Sequence, residues 1–225
     1  MAHYEIEVKS LLGGKENADA LKAKMCELDP SCACISTNKQ LNHYFIDGDI
    51  NLLYKNTIDF FSQKEQDLFK KVVSEGKNSS VRTRKLDDRA FLVVKASIDD
   101  TTSENGVTRI EFESEVKGVT LDELDRIVLD AGFSYQAKWS REREEYVCNG
   151  INVCLDKNAG YGYVAEFEKM VEYESQAESV QCELRELMQK LDIEELKQDR
   201  LERMFSHYNK SWEEYYGTDK VFTIH

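Results

Sequence analysis

The sequence has very little proline and no long apolar segment. Pro30 is the single proline among 225 residues, so the ends of helices and strands have to be read from glycine, asparagine and hydrophobic periodicity. No apolar run approaches the roughly 18 residues that a membrane-spanning helix needs. The acidic character of the first ten residues also argues against a secretory signal. We therefore expect a cytoplasmic protein that does not bind a membrane.

Cysteine and histidine are too scattered to indicate a zinc site. Cys32 and Cys34 form a single CxC pair, no second pair lies at zinc-ligand spacing, and the four histidines are far apart. A chain of this length does not need disulfide bonds in order to fold. We expect free thiols and no structural zinc.

Basic residues are outnumbered by acidic ones, and the formal net charge is −13. Nucleic acids and anionic lipids are attracted by clusters of lysine and arginine, so neither is expected as a partner. With 41% hydrophobic and 32% charged residues, the composition is typical of a globular protein.

Hydrophobic periodicity divides the chain into strands and helices without a linker between domains. Helical spacing occurs in residues 15–29, 120–132 and 174–216, and the second of these begins with a capping box at Thr120 and Glu123. Strand-like runs cover residues 4–9, 41–47, 81–86, 90–97, 108–116, 138–148, 151–156 and 161–171. We expect a single domain over residues 1–225.

Turn signals suggest how these strands are connected. The three runs between residues 81 and 116 are separated by Asp87-Asp88 and by the polar residues 99–106, which predicts an antiparallel meander. Asn149-Gly150 predicts a tight hairpin turn. Residues 48–80 have helical patches with polar edges and are interpreted as an insertion or lid.

The two-residue period of a strand places charged side chains on one face of each run. In the first strand Ile6 and Val8 share one face, and Glu5, Glu7 and Lys9 share the other. The same period groups Arg82 with Arg84, Arg109 with Glu111, Glu113 and Glu115, Arg141 with Arg143 and Glu145, and Glu166 with Glu168, and leaves Lys95 at the end of its own run. A face in contact with water would also contain threonine, serine and glutamine, whereas these faces are nearly pure glutamate and arginine.

These patterns predict an α+β fold built on an eight-stranded antiparallel β-barrel. The apolar strand faces would pack against surrounding amphipathic helices, and the charged faces would line the interior of the barrel. Burial of so many charges is costly unless acids and bases pair, or unless a metal and a ligand complete the neutralisation.

The two kinds of charge on these faces suit two kinds of ligand. Guanidinium and ammonium groups bind consecutive phosphates, and the candidates are Lys9, Arg82, Arg84, Lys95, Arg141 and Arg143. Carboxylates bind hard cations such as Mg²⁺ or Mn²⁺, and the candidates are Glu5, Glu7, Glu166 and Glu168. The predicted ligand is a small oligophosphate bound together with metal.

The N-terminal Glu5-x-Glu7-x-Lys9 resembles the ExExK signature of the CYTH family, also called triphosphate tunnel metalloenzymes. The later segments VRTR, VVKAS, RIEFE, REREEY and LDKNAGYGYVAEFE follow in that family's order, and the resemblance covers residues 4 to about 170. It implies an eight-stranded antiparallel tunnel, dependence on Mg²⁺ or Mn²⁺, and chemistry on a triphosphate.

The resemblance also implies roles for individual residues. The metal-binding acids match Glu5, Glu7, Glu166 and Glu168, the phosphate binders match the six basic residues given above, and Glu5, Glu7 and Lys9 are the expected catalytic set. Glu111 and Glu113 match further tunnel acids, which either bind a second metal or hold arginines in place. Asp156 is either another such acid or a turn residue.

Three functions are compatible with these residues. The first is hydrolysis of inorganic, thiamine or nucleoside triphosphate, and the second is the class IV adenylyl cyclase reaction, which converts ATP to cyclic AMP and pyrophosphate. The third is a polyphosphate or nucleotide sensor without turnover. The acidic net charge argues against RNA ends as substrates. The C-terminal helices could dock on the barrel or mediate a homodimer.

Overall fold

The computed structural model describes residues 4–97 and 109–224, so the predicted polar loop 99–106 lies outside the described residues. The elements follow in the order β1 (Tyr4–Gly13), α1 (Lys15–Leu28), β2 (Ala33–Ile46), α2 (Ile50–Thr57), α3 (Gln63–Glu75), β3 (Lys77–Leu86), β4 (Arg89–Ser97), β5 (Arg109–Glu115), α4 (Leu121–Asp130), β6 (Ser134–Cys148), β7 (Ile151–Asn158), β8 (Gly162–Val171), α5 (Ala177–Lys190) and α6 (Gln198–Tyr215). None of the helices in this part of the chain has both the length and the apolar character needed to cross a membrane.

The eight strands belong to one antiparallel sheet in the order β1-β8-β7-β6-β2-β3-β4-β5. This arrangement confirms the α+β class. It also confirms the predicted meander, because β3 pairs with β4 and β4 pairs with β5. In the described residues the strand order ends at β1 and β5, and closure into a barrel stays a prediction.

The chain divides into two compact units, and the single domain stays a prediction. Within the described residues, the first unit comprises 4–39 and 140–224, and the second comprises 40–97 and 109–139. The long strands β2 and β6 each contribute residues to both units. Each unit has its own hydrophobic core.

In the first unit the core lies between the strands and two helices. Helix α5 packs against β1 and β8, and helix α1 packs against the same two strands. Ile6 and Phe167 face the helices from the sheet, and Leu21, Met25 and Leu184 meet them from the helices, all five with no exposed surface. The apolar half of each strand thus faces the helices, as the alternation predicts.

In the second unit an aromatic cluster joins the meander to residues 48–80, the predicted insertion or lid. Phe69 of α3 stacks on Phe112 of β5 with ring centroids 4.4 Å apart. Phe61 contacts Phe112 edge to face at 5.0 Å. Leu53 of α2 is fully buried in the same cluster. Residues 48–80 therefore supply part of this core, while their role as a lid stays a prediction.

A buried polar network fixes α4 to the sheet of the second unit. Asp125 of α4 accepts hydrogen bonds from His43 at 2.6 Å, from Thr83 at 2.5 Å and from Tyr135 at 2.6 Å. Burial alone would raise the pKa of Asp125, but these hydrogen bonds outweigh it and lower the pKa. Three strands, β2, β3 and β6, are thereby held to one carboxylate of α4.

Local predictions from capping and turn residues are confirmed. Thr120 caps α4, and its capping box with Glu123 is present. Asn149 and Gly150 connect β6 to β7 with φ values of 50° and 75°, as a type I′ hairpin turn requires.

Gly162, at the start of β8, is restricted both by its backbone conformation and by a neighbouring strand. Its φ is +74°, and a Cβ atom at this position would lie 2.4 Å from the carbonyl oxygen of Gly13. Gly150 has a similar φ of +75°, but a Cβ atom there would meet no atom of the described residues within 4 Å. Substitutions at these two glycines therefore distinguish the cost of the left-handed conformation from the cost of a steric clash.

We expect Gly162→Ala to lower the free energy of unfolding by more than Gly150→Ala. The left-handed conformation costs an alanine about 1–2 kcal/mol at either site, and the clash with Gly13 adds about 1–3 kcal/mol at Gly162 alone. Urea denaturation of the two variants measures the difference. Equal losses of stability would contradict the close approach of β1 and β8 at this point.

Candidate active site

The charged face of the first unit is built by direct pairing of β1, β7 and β8. Ile6 and Val8 are buried in the core, so Glu5, Glu7 and Lys9 project from the opposite face of β1. Strand register then places side chains from the three strands in rows. In the strand order β7, β8, β1, two adjacent rows are Asn152–Glu168–Glu7 and Cys154–Glu166–Lys9.

Three glutamates on this face form a cluster suited to a divalent cation. Glu5, Glu7 and Glu168 can each offer a carboxylate oxygen, and these oxygens lie within 4.8 Å of one another. All three side chains are partly buried. Carboxylate oxygens are the ligands preferred by Mg²⁺ and Mn²⁺, so the donor set fits the metals that the sequence predicts.

Glu166 contacts different groups from Glu168, although the two residues are neighbours on the same face of β8. The ammonium group of Lys9 lies 3.0 Å from Glu166 and 2.9 Å from Glu7. Arg143 donates a further hydrogen bond to Glu166. Glu166 therefore forms ion pairs in this structure, and its assignment as a metal ligand stays a prediction.

Asp156 links the two arginines of β6. Its carboxylate accepts two hydrogen bonds from Arg143, both at 2.7 Å, and one from Arg141 at 2.9 Å. The Asp156 side chain is completely buried, whereas those of Arg141 and Arg143 retain 16% and 11% of their exposure. Asp156 is thus a strand residue that orients arginines, which resolves the alternative of a turn residue.

The ion pairs on this face determine how its groups ionise. Burial opposes the charge of Glu166, but Lys9 and Arg143 outweigh it and lower the pKa of Glu166 well below its usual value. Burial likewise opposes the charge of Lys9, yet Glu166 and Glu7 raise its pKa. These two groups therefore stay charged at neutral pH.

Glu168 has the opposite environment. Burial, followed by the negative charges of Glu5 and Glu166, raises the pKa of Glu168 to about 7, although Arg143 and a hydrogen bond from Asn152 oppose the shift. A carboxylate whose ionisation is disfavoured by neighbouring carboxylates is stabilised by a bound cation.

The second unit has its own charged face on β2, β3, β4 and β5. Arg84 donates to Glu113 at 2.7 Å and to the amide oxygen of Asn42 at 2.9 Å. Lys95 lies 3.1 Å from Glu111. Glu113 therefore contacts an arginine, as one of the two predicted roles requires, whereas the basic partner of Glu111 is a lysine. The assignment of Glu113 as a metal ligand stays a prediction.

Arg82, the remaining basic residue predicted in this unit, lies over an aromatic ring. Its guanidinium carbon is 4.6 Å from the centroid of Tyr44, which is its direct neighbour across β2 and β3. Cation–π contact orients the guanidinium plane without neutralising its charge.

Three further residues on these charged faces were not predicted from the sequence. Asn42 holds Arg84, and Asn152 and Cys154 both contact Glu168. Asn152, Cys154 and Asp156 are spaced two residues apart in INVCLD, so the strand period could have placed them on the same face. Asn42, Asn152 and Cys154 were missed because all three are uncharged.

The chain belongs to the CYTH family, because the CYTH domain profile matches residues 68–201. This match confirms the family inferred from the ordered motifs. The comparison with curated proteins found no match.

Solved structures with the same fold cover nearly the whole chain. The PH1819 protein from Pyrococcus horikoshii OT3 is 20% identical, with a TM-score of 0.61 over 91% of this chain and 99% of that chain. A Vibrio parahaemolyticus protein described provisionally as an adenylate cyclase is 14% identical, with a TM-score of 0.60 over 92% and 99%. A Hippeastrum protein, first described as an adenylyl cyclase and reported to have a dominant triphosphatase activity, is 18% identical, with a TM-score of 0.51 over 88% and 95%. At these identities the similarity shows the fold alone.

The raised pKa of Glu168 predicts a specific pH dependence of stability in the metal-free protein. Between pH 4.5 and about 7, the folded chain retains a proton on Glu168 that the unfolded chain has lost. The contribution of this group to the free energy of unfolding therefore falls as the pH rises through that range. Glutamine at position 168 is always neutral. From pH 5 to pH 8, the free energy of unfolding of Glu168→Gln should therefore rise by about 1–3 kcal/mol relative to that of the wild type.

Urea denaturation in the presence of a chelator, at pH 5 and at pH 8, measures this change. Glu172→Gln is the matched control, because Glu172 is exposed just after β8. We expect the difference in free energy of unfolding between this control and the wild type to be the same at both pH values. A stability difference for Glu168→Gln that does not vary with pH would contradict the raised pKa.

Proposed function

We propose that this protein hydrolyses a small triphosphate in a reaction that depends on Mg²⁺ or Mn²⁺. The observation that carries the proposal is the cluster of Glu5, Glu7 and Glu168 on the same face as Lys9 and Arg143. A site with carboxylates for a cation and basic groups for an anion suits a metal-bound oligophosphate. Membership of the CYTH family supports the same class of substrate.

Glu5, Glu7 and Glu168 would hold the metal, which when bound supplies a Lewis acid that offsets charge on the phosphate oxygens. Among the residues described on this face, six carboxylates accompany three basic groups, so the negative charges are in excess. The carboxylates are those of Glu5, Glu7, Glu145, Asp156, Glu166 and Glu168, and the basic groups are those of Lys9, Arg141 and Arg143. This excess favours a bound divalent cation.

Lys9 is suited to contact a phosphate while it holds the acids in place. Its ammonium group has three N–H donors, and Glu7 and Glu166 each take one of them. The third can reach a phosphate oxygen, since a fifth of the side chain remains exposed. Arg141 and Arg143 are oriented by Asp156 and would bind further phosphate oxygens.

The proposal extends to the basic residues of the second unit, to which the CYTH resemblance assigns the same role. These residues are Arg82, Arg84 and Lys95. The pairing of Arg84 with Glu113 and Asn42 fixes the guanidinium plane, which lowers the entropic cost of binding an anion. The closed tunnel predicted from the sequence is part of this proposal.

In hydrolysis, a water molecule attacks the terminal phosphorus in line with the leaving diphosphate. Positioning and charge stabilisation account for most of the catalysis in such reactions. Lys9 and the arginines would stabilise the negative charge that develops on the leaving group. The basic residues therefore act mainly by holding the phosphates in the reactive geometry.

The adenylyl cyclase reaction is the alternative function. It is supported by the Vibrio and Hippeastrum proteins, whose descriptions both name an adenylyl cyclase. In that reaction the ribose 3′-hydroxyl of ATP attacks the α-phosphorus and pyrophosphate leaves. The same basic groups would hold the phosphates, so only the products distinguish the two functions.

Incubation of the protein with Mg²⁺ or Mn²⁺ and one of three substrates distinguishes them. The substrates are tripolyphosphate, thiamine triphosphate and ATP, each supplied separately. We expect orthophosphate from at least one of them and no cyclic AMP, because the proposed attack is on the terminal phosphorus. Formation of cyclic AMP and pyrophosphate would favour the cyclase, and the absence of any product would favour a sensor.

Glu7→Gln tests the metal assignment. The variant keeps the shape of the side chain but removes one of three ligand charges, so we expect weaker Mn²⁺ binding and at least a roughly 100-fold loss of turnover. Calorimetry with Mn²⁺ and the product assay measure the two effects, and circular dichroism monitors the fold. Glu172→Gln should behave like the wild type in all three. Full activity of Glu7→Gln would refute the role of Glu7.

A further inference from the structure

Glu168, a member of the candidate metal cluster, is flanked by different groups on its two sides. On one side, β1 places Glu7 directly opposite it. On the other side, β7 places the neutral side chain of Asn152 directly opposite it. The carboxylate of Glu168 therefore lies between the amide of Asn152 and the other acids of the cluster.

The contacts of Asn152 involve one of the two oxygens of Glu168. The amide nitrogen of Asn152 donates a hydrogen bond to Oε1 of Glu168. The thiol of Cys154, which is also on β7, lies 3.9 Å from the same oxygen and 3.7 Å from the amide nitrogen. A carboxylate held at Oε1 from the β7 side can still offer Oε2 to a cation.

The other end of the Asn152 amide also indicates a ligand. Its oxygen Oδ1 is buried and accepts no hydrogen bond from the residues that the structure describes. A buried amide oxygen without a hydrogen-bond donor is energetically costly. Water molecules bound to Mg²⁺ or Mn²⁺ are hydrogen-bond donors, and Mg²⁺ usually retains several of them.

We propose that Asn152 is a positioning residue of the metal site. Its amide nitrogen fixes Glu168 in the orientation that binds a divalent cation, and its amide oxygen accepts a hydrogen bond from water bound to that cation. Residues behind the metal ligands commonly have this orienting role. The inference rests on the proposed function and adds to it a residue of β7 that acts through a metal ligand.

A purely structural role for Asn152 makes a different prediction. If Asn152 only stabilised β7 against β8, its loss would weaken folding, and any loss of metal binding would not depend on Glu168. If it acts mainly through Glu168, its loss should matter much less once the Glu168 carboxylate is removed. A double-mutant cycle separates these two roles.

The experiment measures Mn²⁺ binding to the metal-free full chain, with free Mn²⁺ followed by electron paramagnetic resonance. We expect Asn152→Ala to raise the Kd for Mn²⁺ about tenfold, since removal of such supporting residues typically costs 10–100-fold in affinity. The same tenfold effect should remain in a Glu5→Gln background. In a Glu168→Gln background it should shrink to about threefold or less, because the carboxylate that Asn152 orients is absent and only the bond from metal-bound water to the amide oxygen remains.

Two further variants make the result unambiguous. Asn152→Thr suits a β-strand and lacks the amide, so it should weaken Mn²⁺ binding at least about fivefold even if the alanine variant folds poorly. Asn38→Ala is the matched control, because Asn38 is also an asparagine that donates to a glutamate, Glu145, at 3.3 Å. Its Kd for Mn²⁺ should stay within about twofold of the wild-type value.

The outcomes distinguish a failure of this inference from a failure of the proposed function. Wild-type affinity in both Asn152 variants, or an equal loss in the Glu168→Gln background, would overturn the role of Asn152 and leave the metal site intact. A wild-type chain that binds no Mn²⁺ would overturn the metal site itself, and the inference with it.

Discussion

The charged face of the first unit depends on one interaction, the ion pairs that Glu166 forms with Lys9 and Arg143. Through Glu166 they connect β1, β8 and β6, and Asp156 extends the chain of contacts to β7. A buried charge that loses its partner costs about 3–5 kcal/mol. Each member of this network therefore constrains the rotamer of the next, and the register of four strands determines which groups can pair.

The acids of this face differ in how closely they approach one another. Glu166 and Asp156 pair with basic residues, whereas the carboxylate oxygens of Glu5, Glu7 and Glu168 lie within 4.8 Å of one another, with Lys9 also in contact with Glu7. Burial and the repulsion among acids raise the pKa of Glu168 to about 7. In the proposed metal site a divalent cation would relieve the unfavourable interaction among these acids, so a cost in stability would become a gain in metal affinity.

Alternation along the sequence was sufficient to predict the strands, their charged faces and most of the residues on them, because a half-buried strand has a strict period of two. It could not assign different roles to Glu166 and Glu168. Both have the same spacing and chemistry, and they differ only in what lies opposite them, Lys9 in one case and Glu7 in the other. That difference depends on strand register, which is determined by pairing across the sheet and not by local sequence.

Neutral residues on a charged face are also invisible to a search for charge, yet the proposed metal site depends on one of them, Asn152. A lysine or arginine in place of Asn152 would pair with Glu168 as Lys9 pairs with Glu166, and Glu168 would then be satisfied without a metal. An apolar residue would leave Glu168 buried without the amide hydrogen bond on the β7 side. An amide orients the carboxylate and leaves its charge in place. Each glutamate thus has the neighbour that suits its charge. Lys9 and Arg143 neutralise Glu166, whereas the neutral Asn152 leaves the charge of Glu168 for a cation in the proposed site.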